Sequence, residues 1–316
     1  MNAFEITLTV IGALAVIILL GSFICFLKVF YSPKRKPLPE GQYDIPKGRI
    51  YEEFREDMIR WQKQLCAMKH ESFEIRSRDG LILRGKYYEY EKGAPLEIMF
   101  HGYEGNAERD LSGGVERCFN LGRNVMIINQ RAHGDSEGHV TTFGYKEKLD
   151  CIDWINFAIE RFGKEQKIII TGISMGAATV LMAAGEELPD NVVSVLADCP
   201  YSSTREIICK IVREMHLPVK IIYPLIRLGA IVFGGFDPNK SEPLAAVKRA
   251  KIPIFFVHGD TDEFVPLYMS EKMYEICPTE KAMYISPGAG HGLAFPKNQE
   301  GYYKAVREFE SVWKKD

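Results

Sequence analysis

From residue 73 to the end of the chain, short apolar runs alternate with amphipathic stretches, and this alternation limits the folds that the chain can adopt. Runs that are apolar throughout fit strands buried on both faces, and the stretches between them fit the helices that connect parallel strands. The sequence therefore predicts an α/β domain with a mostly parallel central sheet flanked by helices. The predicted strands are residues 73–76, 81–90, 96–100, 125–129, 168–171, 192–197, 252–257 and 282–285, and the predicted helices are residues 107–121, 145–162, 177–187, 267–276 and 301–314.

The amino-terminal segment contains an uncharged run at residues 6–27. A helix of this length is about 33 Å long, which is enough to cross a hydrocarbon core of about 30 Å. A cleaved signal peptide is the alternative. However, the residues before the run carry Glu5 and no lysine or arginine, and no small-residue cleavage site follows. We therefore predict a transmembrane anchor in residues 1–30, which contacts the membrane through residues 6–27.

Basic residues after this run predict its orientation. Lys28, Lys34, Arg35 and Lys36 lie on its carboxyl side, where the positive-inside tendency places the cytoplasm. The seven cysteines include no C-x-x-C pair, which fits reduced thiols better than a disulfide framework or a zinc site. We expect a single-pass membrane protein with a cytoplasmic main domain. The net charge of −2 shows no basic excess, so a nucleic-acid partner is not expected.

Two segments separate the anchor from the main domain. Residues 31–50 are rich in proline, glycine and charge, which is typical of a linker. Residues 51–72 predict a leading amphipathic helix, because apolar side chains recur there every three to four positions. These side chains are Phe54, Met58, Trp61 and Leu65. Acidic neighbours favour packing on the following domain over the alternative, which is lying on the membrane surface.

The main domain is predicted to span residues 73–316, and residues 201–249 interrupt its alternation of strands and helices. This stretch mixes helical character with many apolar side chains. Lys210, Arg213 and Lys220 argue against a second membrane span within it. We interpret the stretch as a helical insertion between two strands.

A G-x-S-x-G pattern at residues 172–176 lies between a predicted strand and a predicted helix. A nucleophile elbow requires this order, and small residues beside the serine allow the turn to be tight. Ser174 is therefore the candidate nucleophile. A glycine-rich loop without catalytic meaning is the alternative, but it would not require both neighbouring elements.

A serine hydroxyl needs a base to remove its proton, and the base needs an orienting group. His291, flanked by glycines just after the last predicted strand, is the candidate base. The acid is expected after another parallel strand, where the residues alone leave four carboxylates open: Asp198, Asp260, Asp262 and Glu263. The developing oxyanion needs backbone N–H donors. The candidates are Met175, directly after the nucleophile, and Tyr103, in the loop after residues 96–100.

Four motifs resemble those of the α/β-hydrolase superfamily and follow one another in the same order, over about three quarters of the chain. The resemblance is greatest to a membrane-anchored bacterial branch that includes serine-aminopeptidase-like and acyl-ester hydrolases. The motifs are H-G-x-x-G at residues 101–105, a turn at 131–138, G-x-S-x-G at 172–176 and H-G-x-x-D-x-x-V-P at 258–266. One departure is Ala132, where members often have glycine; it affects a structural turn.

The resemblance implies an α/β-hydrolase fold and a serine hydrolase whose acid is Asp262, because the family's acid falls on that position. It also implies that residues 201–249 form a lid over the substrate pocket. The expected reaction passes through an acyl-enzyme, and acyl esters, thioesters and peptides all fit as substrates. Neither a phosphate-binding loop nor a dinucleotide fingerprint appears, so no cofactor is expected.

Two other functions compete with this interpretation. A metal-dependent hydrolase could use His133, Asp135, His258, Asp260 and Asp262, but such His-x-Asp pairs are weak signals and no H-E-x-x-H helix is present. A catalytically silent binding module at the membrane would predict a missing triad member or a blocked oxyanion loop. The motif set is complete, which favours the enzyme.

Overall fold

The computed structural model describes residues 2–34, 38–39 and 41–313. Arg35 and Lys36, which contribute to the predicted orientation, lie outside the described residues, as do residues 37 and 40 of the predicted linker. The same holds for Lys314, the predicted end of the last helix, and for the two residues after it.

The central sheet is mostly parallel, as the sequence predicts. The eight strands found in the described residues are β1 (Glu71–Arg76), β2 (Ile82–Tyr88), β3 (Leu96–Phe100), β4 (Asn124–Asn129), β5 (Ile168–Ile173), β6 (Val192–Asp198), β7 (Ile254–Gly259) and β8 (Lys281–Ser286). Their order in the sheet is β1-β2-β4-β3-β5-β6-β7-β8. The β1–β2 and β2–β4 pairs are antiparallel, and the pairs from β4 to β8 are parallel. The carboxyl ends of the parallel strands therefore meet at one edge of the sheet.

Helices connect the strands and flank the sheet. The α-helices of the described part are α1 (Ala3–Val29), α2 (Arg55–Ala67), α3 (Ala107–Asn120), α4 (Glu147–Phe162), α5 (Met175–Ala184), α6 (Thr204–Glu214), α7 (Val219–Gly234), α8 (Pro243–Val247), α9 (Tyr268–Ile276), α10 (Ala294–Lys297) and α11 (Gln299–Trp313). Short 3₁₀ turns at Arg49–Phe54 and Pro238–Lys240 precede α2 and α8. The insertion at residues 201–249 thus consists mainly of α6, α7 and α8.

The central strands contribute to two buried layers because successive side chains point to opposite faces of a sheet. On β6, Val195 and Ala197 pack in one layer with α4, α5, α8 and α9. Leu196, between them, packs in the other layer with α2, α10 and α11. Trp61 of α2 is buried in that second layer, and Leu65 of α2 is buried in a neighbouring cluster with α3, so the leading helix packs on the domain.

Helix α1 is long and apolar enough to cross a membrane, with a mean hydropathy of 2.9 over its most apolar stretch. Most of its length is exposed, but Phe26 and Phe30 at its carboxyl end are buried. The ring of Phe30 lies 5.7 Å from that of Phe143 and 5.1 Å from that of Phe236. The end of the apolar helix is therefore part of the packing of the main domain.

Helix α7 lies along α1 and packs against it. Gly229 allows the close approach, since a Cβ there would lie only 2.3 Å from the Ser22 carbonyl oxygen. Phe23 and Phe233 pack edge to face, with ring centroids 4.9 Å apart. The insertion is thus joined to the apolar helix.

Candidate active site

Ser174 lies in the turn between β5 and α5, with φ 55° and ψ −112°. A positive φ is unusual for a residue with a side chain and needs support from its surroundings. The Ser174 N–H donates to the Asp198 carbonyl oxygen at 2.8 Å. A Cβ at Gly172 would lie 2.1 Å from the backbone of Gly176, and one at Gly176 would lie 2.0 Å from the Phe100 oxygen. The two glycines of the motif are therefore required by the tightness of this turn.

Ser174, His291 and Asp262 form a chain of hydrogen bonds at the carboxyl edge of the sheet. Ser174 Oγ lies 2.9 Å from His291 Nε2, and His291 Nδ1 lies 2.7 Å from Asp262 Oδ2. When Nδ1–H donates to the carboxylate, Nε2 is the acceptor for the serine hydroxyl. The fold thus brings together three residues that are 117 and 29 positions apart.

The Asp262 carboxylate is held by several donors. Its Oδ1 accepts the backbone N–H groups of Phe264, at 2.9 Å, and Val265, at 2.8 Å. Its Oδ2 also lies 3.3 Å from His258 Nε2. Burial opposes ionisation, but the hydrogen bonds from His258 and His291 hold the pKa of Asp262 well below its ordinary value. The carboxylate is therefore charged at neutral pH. In the sequence, the H-G-x-x-D pattern at residues 258–262 is the signal for the contact between His258 and Asp262.

The four candidate carboxylates have different hydrogen-bond partners in the structure. Asp260 accepts the N–H of Gly288 at 2.7 Å, and Glu263 is exposed. Asp198 is buried, and its Oδ1 has no hydrogen-bond partner among the residues described. Burial raises the pKa of Asp198 to about 6. Of these four, Asp262 is the carboxylate that is hydrogen-bonded to His291.

The loop after β3, which carries Tyr103, passes beside Ser174. A Cβ on Gly102 would lie 3.6 Å from the Cβ of Ser174. Two buried histidines hold this loop: His101 Nδ1–H donates to the Gly102 carbonyl oxygen at 2.7 Å, and His133 Nε2 accepts the Glu104 N–H at 3.2 Å. Burial lowers the pKa of His101, so that its ring is neutral at neutral pH. Both rings have a structural role in shaping the loop.

The side chain of Tyr103 connects this loop to α1. Its hydroxyl donates to the carbonyl oxygen of Val29, the last residue of α1, at 2.9 Å. Its ring stacks on Phe143 with the centroids 5.0 Å apart. The sequence does not signal this contact, because the partner is a backbone carbonyl 74 positions away.

A cavity of about 450 Å³ opens at Ser174 and His291. This volume lies in the range of small-molecule sites. The cavity extends beneath α3, and Tyr51 and Trp61, from the segment before β1, form part of its wall. Residues 201–249 are all described, and none of them lines it. The lid function of that insertion stays a prediction.

The alternative metal ligands are used in other contacts. His258 is hydrogen-bonded to Ser270 Oγ and to the Val265 carbonyl oxygen. Within the described ranges, three potential ligand atoms approach within 4.8 Å of one another at Cys199, Asp262 and His291. Of these three side chains, Asp262 and His291 are already hydrogen-bonded to each other.

Two known protein families match parts of the chain. A family described as alpha/beta hydrolase fold matches residues 98–237, and a family described as serine hydrolase (FSH1) matches residues 202–300. Among solved structures, a Pyrococcus furiosus esterase has a TM-score of 0.63 at 23% identity, over 86% of this chain and 97% of its own. A Pyrococcus horikoshii acylaminoacyl peptidase has a TM-score of 0.58 at 20% identity, over 79% of this chain and 42% of its own. These structures show the shared fold.

Relatives in sequence extend over most of the chain. The Bacillus subtilis protein YqkD is 30% identical over 263 residues, which cover 80% of this chain and 86% of that protein. The Saccharomyces cerevisiae membrane protein YNL320W is 27% identical over 60% of this chain and 61% of its own. Protein bem46 of Schizosaccharomyces pombe is 25% identical over 77% of each chain. With these matches, the chain belongs to the α/β-hydrolase superfamily and is a serine hydrolase.

Proposed function

We propose that the protein is a membrane-anchored hydrolase that cleaves acyl esters, thioesters or peptide bonds through a triad of Ser174, His291 and Asp262. The observation that carries this proposal is the hydrogen-bonded chain from Ser174 Oγ through His291 to Asp262, at 2.9 and 2.7 Å. It lies at a strained turn and opens onto a cavity, as an activated nucleophile requires.

In the proposed reaction, Ser174 Oγ attacks the acyl carbonyl carbon while His291 Nε2 takes the hydroxyl proton. The bond to the leaving group then breaks, and His291 gives the proton to that group. The acyl group stays on Ser174 as an ester. Water attacks this ester with His291 as base, and the carboxylic acid leaves as the serine hydroxyl regains its proton. Asp262 keeps its charge and stabilises the imidazolium.

The proposed oxyanion donors are the backbone N–H groups of Met175 and Tyr103. Met175 is the first residue of α5, and the first N–H groups of a helix have no intrahelical acceptor. The loop of Tyr103 passes beside Ser174 at Gly102. A donor of this kind is commonly worth about 3–4 kcal/mol of transition-state stabilisation.

We further propose that α1 spans the membrane with the catalytic domain in the cytoplasm. The support is its length, its mean hydropathy of 2.9 and the basic residues Lys28 and Lys34 that follow the apolar run. The name of the yeast relative as a membrane protein agrees with an anchor.

Labelling of the full-length protein in detergent with a fluorophosphonate tests the triad. We expect the parent protein to be labelled, the Ser174→Ala variant to remain unlabelled, and ester hydrolysis to fall at least 1,000-fold in that variant. Ser72→Ala, at an exposed position of β1, is the matched control and should behave as the parent. A folded parent protein that is neither labelled nor active on ester, thioester and peptide panels would contradict the proposal.

Thiol accessibility tests the orientation. Cys66, at the end of α2, is exposed on the catalytic domain. In a variant with Cys66 as its sole cysteine, a membrane-impermeant maleimide should label lysed cells but not intact cells. Labelling in intact cells would place the catalytic domain outside and reverse the proposed orientation.

A further inference from the structure

Helix α7, in the insertion, exposes one apolar face. Ile221, Ile231 and Val232 are 61%, 44% and 50% exposed. Pro224, which is exposed, and Leu228, which is half-buried, lie between them at helical spacing, so the five side chains share this face. A contiguous apolar patch is uncommon on the surface of a soluble monomer and marks an interaction site.

The exposed face borders the contact between α7 and α1. A Cβ at Gly229 would lie 2.3 Å from the Ser22 carbonyl oxygen, and a Cβ at Gly21 would lie 3.6 Å from Leu225 Cδ1. Leu225 is four positions after Ile221, so the side of α7 that contacts α1 lies next to the exposed face. Small residues such as these two glycines and the serine are common where helices pack within a membrane. The apolar surface of α1 therefore continues onto α7.

The position of this contact along α1 gives its depth. Gly21 and Ser22 lie within the uncharged run at residues 6–27. Gly21 is six positions before Leu27, which places it about 9 Å from the cytoplasmic end of the run. Leu225 contacts α1 at this level. If α1 spans the membrane, this part of α7 is therefore below the membrane surface.

The basic side chains of α7 border the exposed face on its other side. Lys220 and Arg227 are seven positions apart and share a side of the helix. That side lies between the exposed face and the side of Tyr223 and Ala230, which is buried on the domain. Arg227 Nη2 lies 2.7 Å from Asp237 Oδ2, so its charge is paired. Long basic side chains extend to the lipid headgroups while their aliphatic parts lie along apolar surface.

Helix α7 does not cross the membrane. Its 16 residues are about 24 Å long, which is shorter than a hydrocarbon core of about 30 Å. Ile207 and Ile208 of α6, before it, are buried in the domain, and so are Phe236 and Pro238 after it. Both ends of α7 therefore return to the catalytic domain on one side of the membrane.

We propose that α7 lies in the cytoplasmic leaflet beside α1 and that its exposed apolar face contacts the acyl chains of lipids. This inference rests on the proposed membrane span of α1 and adds a second element to the membrane contact. A second copy of the chain is the other partner that could cover the face. The depth of the contact at Gly21 favours lipid, because acyl chains surround α1 at that level. Two contacts with the bilayer would hold the catalytic domain in one orientation against the membrane.

Tryptophan fluorescence of the full-length protein in phosphatidylcholine vesicles tests the proposal. Ile221→Trp and Val232→Trp place a fluorophore on the exposed face of α7. Val16→Trp, at a 55% exposed position of α1, is the reference inside the membrane, and Tyr90→Trp, at a 48% exposed position just after β2, is the control outside it. The fluorescence that each variant adds to that of the parent protein is measured with and without phosphatidylcholine brominated on its acyl chains, which quenches tryptophans in contact with those chains.

We expect brominated lipid to remove at least half of the added fluorescence in Ile221→Trp, Val232→Trp and Val16→Trp, and less than a tenth in Tyr90→Trp. Thermal unfolding with the Tm of the parent protein shows that each variant is folded. Quenching in Val16→Trp alone would overturn the inference while the anchor stands. Absence of quenching in all four variants would overturn both.

The emission maximum identifies the other partner. A blue-shifted emission in Ile221→Trp and Val232→Trp without quenching would show that protein covers the face, as in a dimer of this chain, and would overturn the inference. A blue shift together with quenching supports contact with lipid.

Discussion

At the scale of single residues, the site contains carboxylates with opposite environments. Asp262 receives hydrogen bonds from two backbone N–H groups and from His291, so its pKa lies well below the ordinary value. Asp198 is equally enclosed but has an unpartnered oxygen, and burial raises its pKa to about 6. Burial disfavours charge in both, and the hydrogen bonds decide the direction. The same residue type is thus stabilised as an anion at one position and destabilised at the other.

A prediction follows for the Asp198→Asn variant. A carboxyl whose pKa is raised in the folded state contributes stability below its unfolded pKa of about 4, and this contribution is lost as the pH rises through about 6. The shift corresponds to about 3 kcal/mol. The variant should therefore have a higher Tm than the parent protein at pH 8 and a similar Tm at pH 4.

The measurement is thermal unfolding of both proteins from pH 4 to pH 8. Asp150, whose pKa burial also raises to about 6, contributes a parallel decline in both proteins, so the difference between them isolates Asp198. A variant that is less stable than the parent protein at pH 8 would show that Asp198 has a stabilising partner there.

At the scale of elements, the loop after β3 and the end of α1 act on each other through Tyr103. The hydrogen bond from the Tyr103 hydroxyl to Val29 fixes a loop that carries a proposed oxyanion donor. In Tyr103→Phe we expect kcat on a soluble ester to fall threefold to tenfold with KM within twofold, because the loop is less well positioned. The Tm should fall slightly, since one hydrogen bond is worth about 1 kcal/mol.

Steady-state kinetics in detergent check this prediction, with Tyr90→Phe as the control. Tyr90 is an exposed tyrosine just after β2, whose end pairs with the start of β4, so it lies at the edge of the sheet opposite Ser174. A lower Tm with unchanged kcat in Tyr103→Phe would mean that the hydroxyl only stabilises the fold.

At the scale of the whole molecule, the apolar helix and the catalytic domain share one buried cluster. Phe26 and Phe30 pack there with Phe143 and Phe236. Burying each such side chain contributes about 1.5–3 kcal/mol, which is large beside a net stability of about 5–15 kcal/mol. A chain that begins at Ser32 should therefore unfold roughly 10 °C below one that begins at Gly21.

Thermal unfolding of the two shortened proteins in the same detergent makes the comparison. Both lack the exposed part of α1, so the difference reports the segment that contains Phe26 and Phe30. Equal Tm values would show that the end of α1 and the domain are independent, as the division at residue 30 implies.

A structural feature can be predicted from the sequence when residues close together in the chain specify it. The elbow around Ser174 is a local feature, because a strand, two glycines and a helix in succession specify it within about a dozen residues. Helix α5 still begins at Met175 instead of residue 177, since the turn passes directly from Ser174 into the helix. Hydrophobic periodicity does not choose among the four candidate carboxylates, because it carries no information on which side chain reaches His291. The choice of Asp262 depends on the family resemblance of residues 258–266.

Local pattern and composition are enough to predict the alternation of strands and helices, the apolar helix, and Ser174 and His291 as candidate residues. The resemblance to the α/β-hydrolase superfamily added Asp262 as the expected acid, and the structure shows its hydrogen bond to His291. The bond from Tyr103 to Val29 and the packing of α7 on α1 are visible only in the folded protein. The tertiary structure also decided that Arg117 and Asp198 line one cavity. These contacts join residues far apart in the chain, and they exist only once the parallel sheet has brought its loops to one edge.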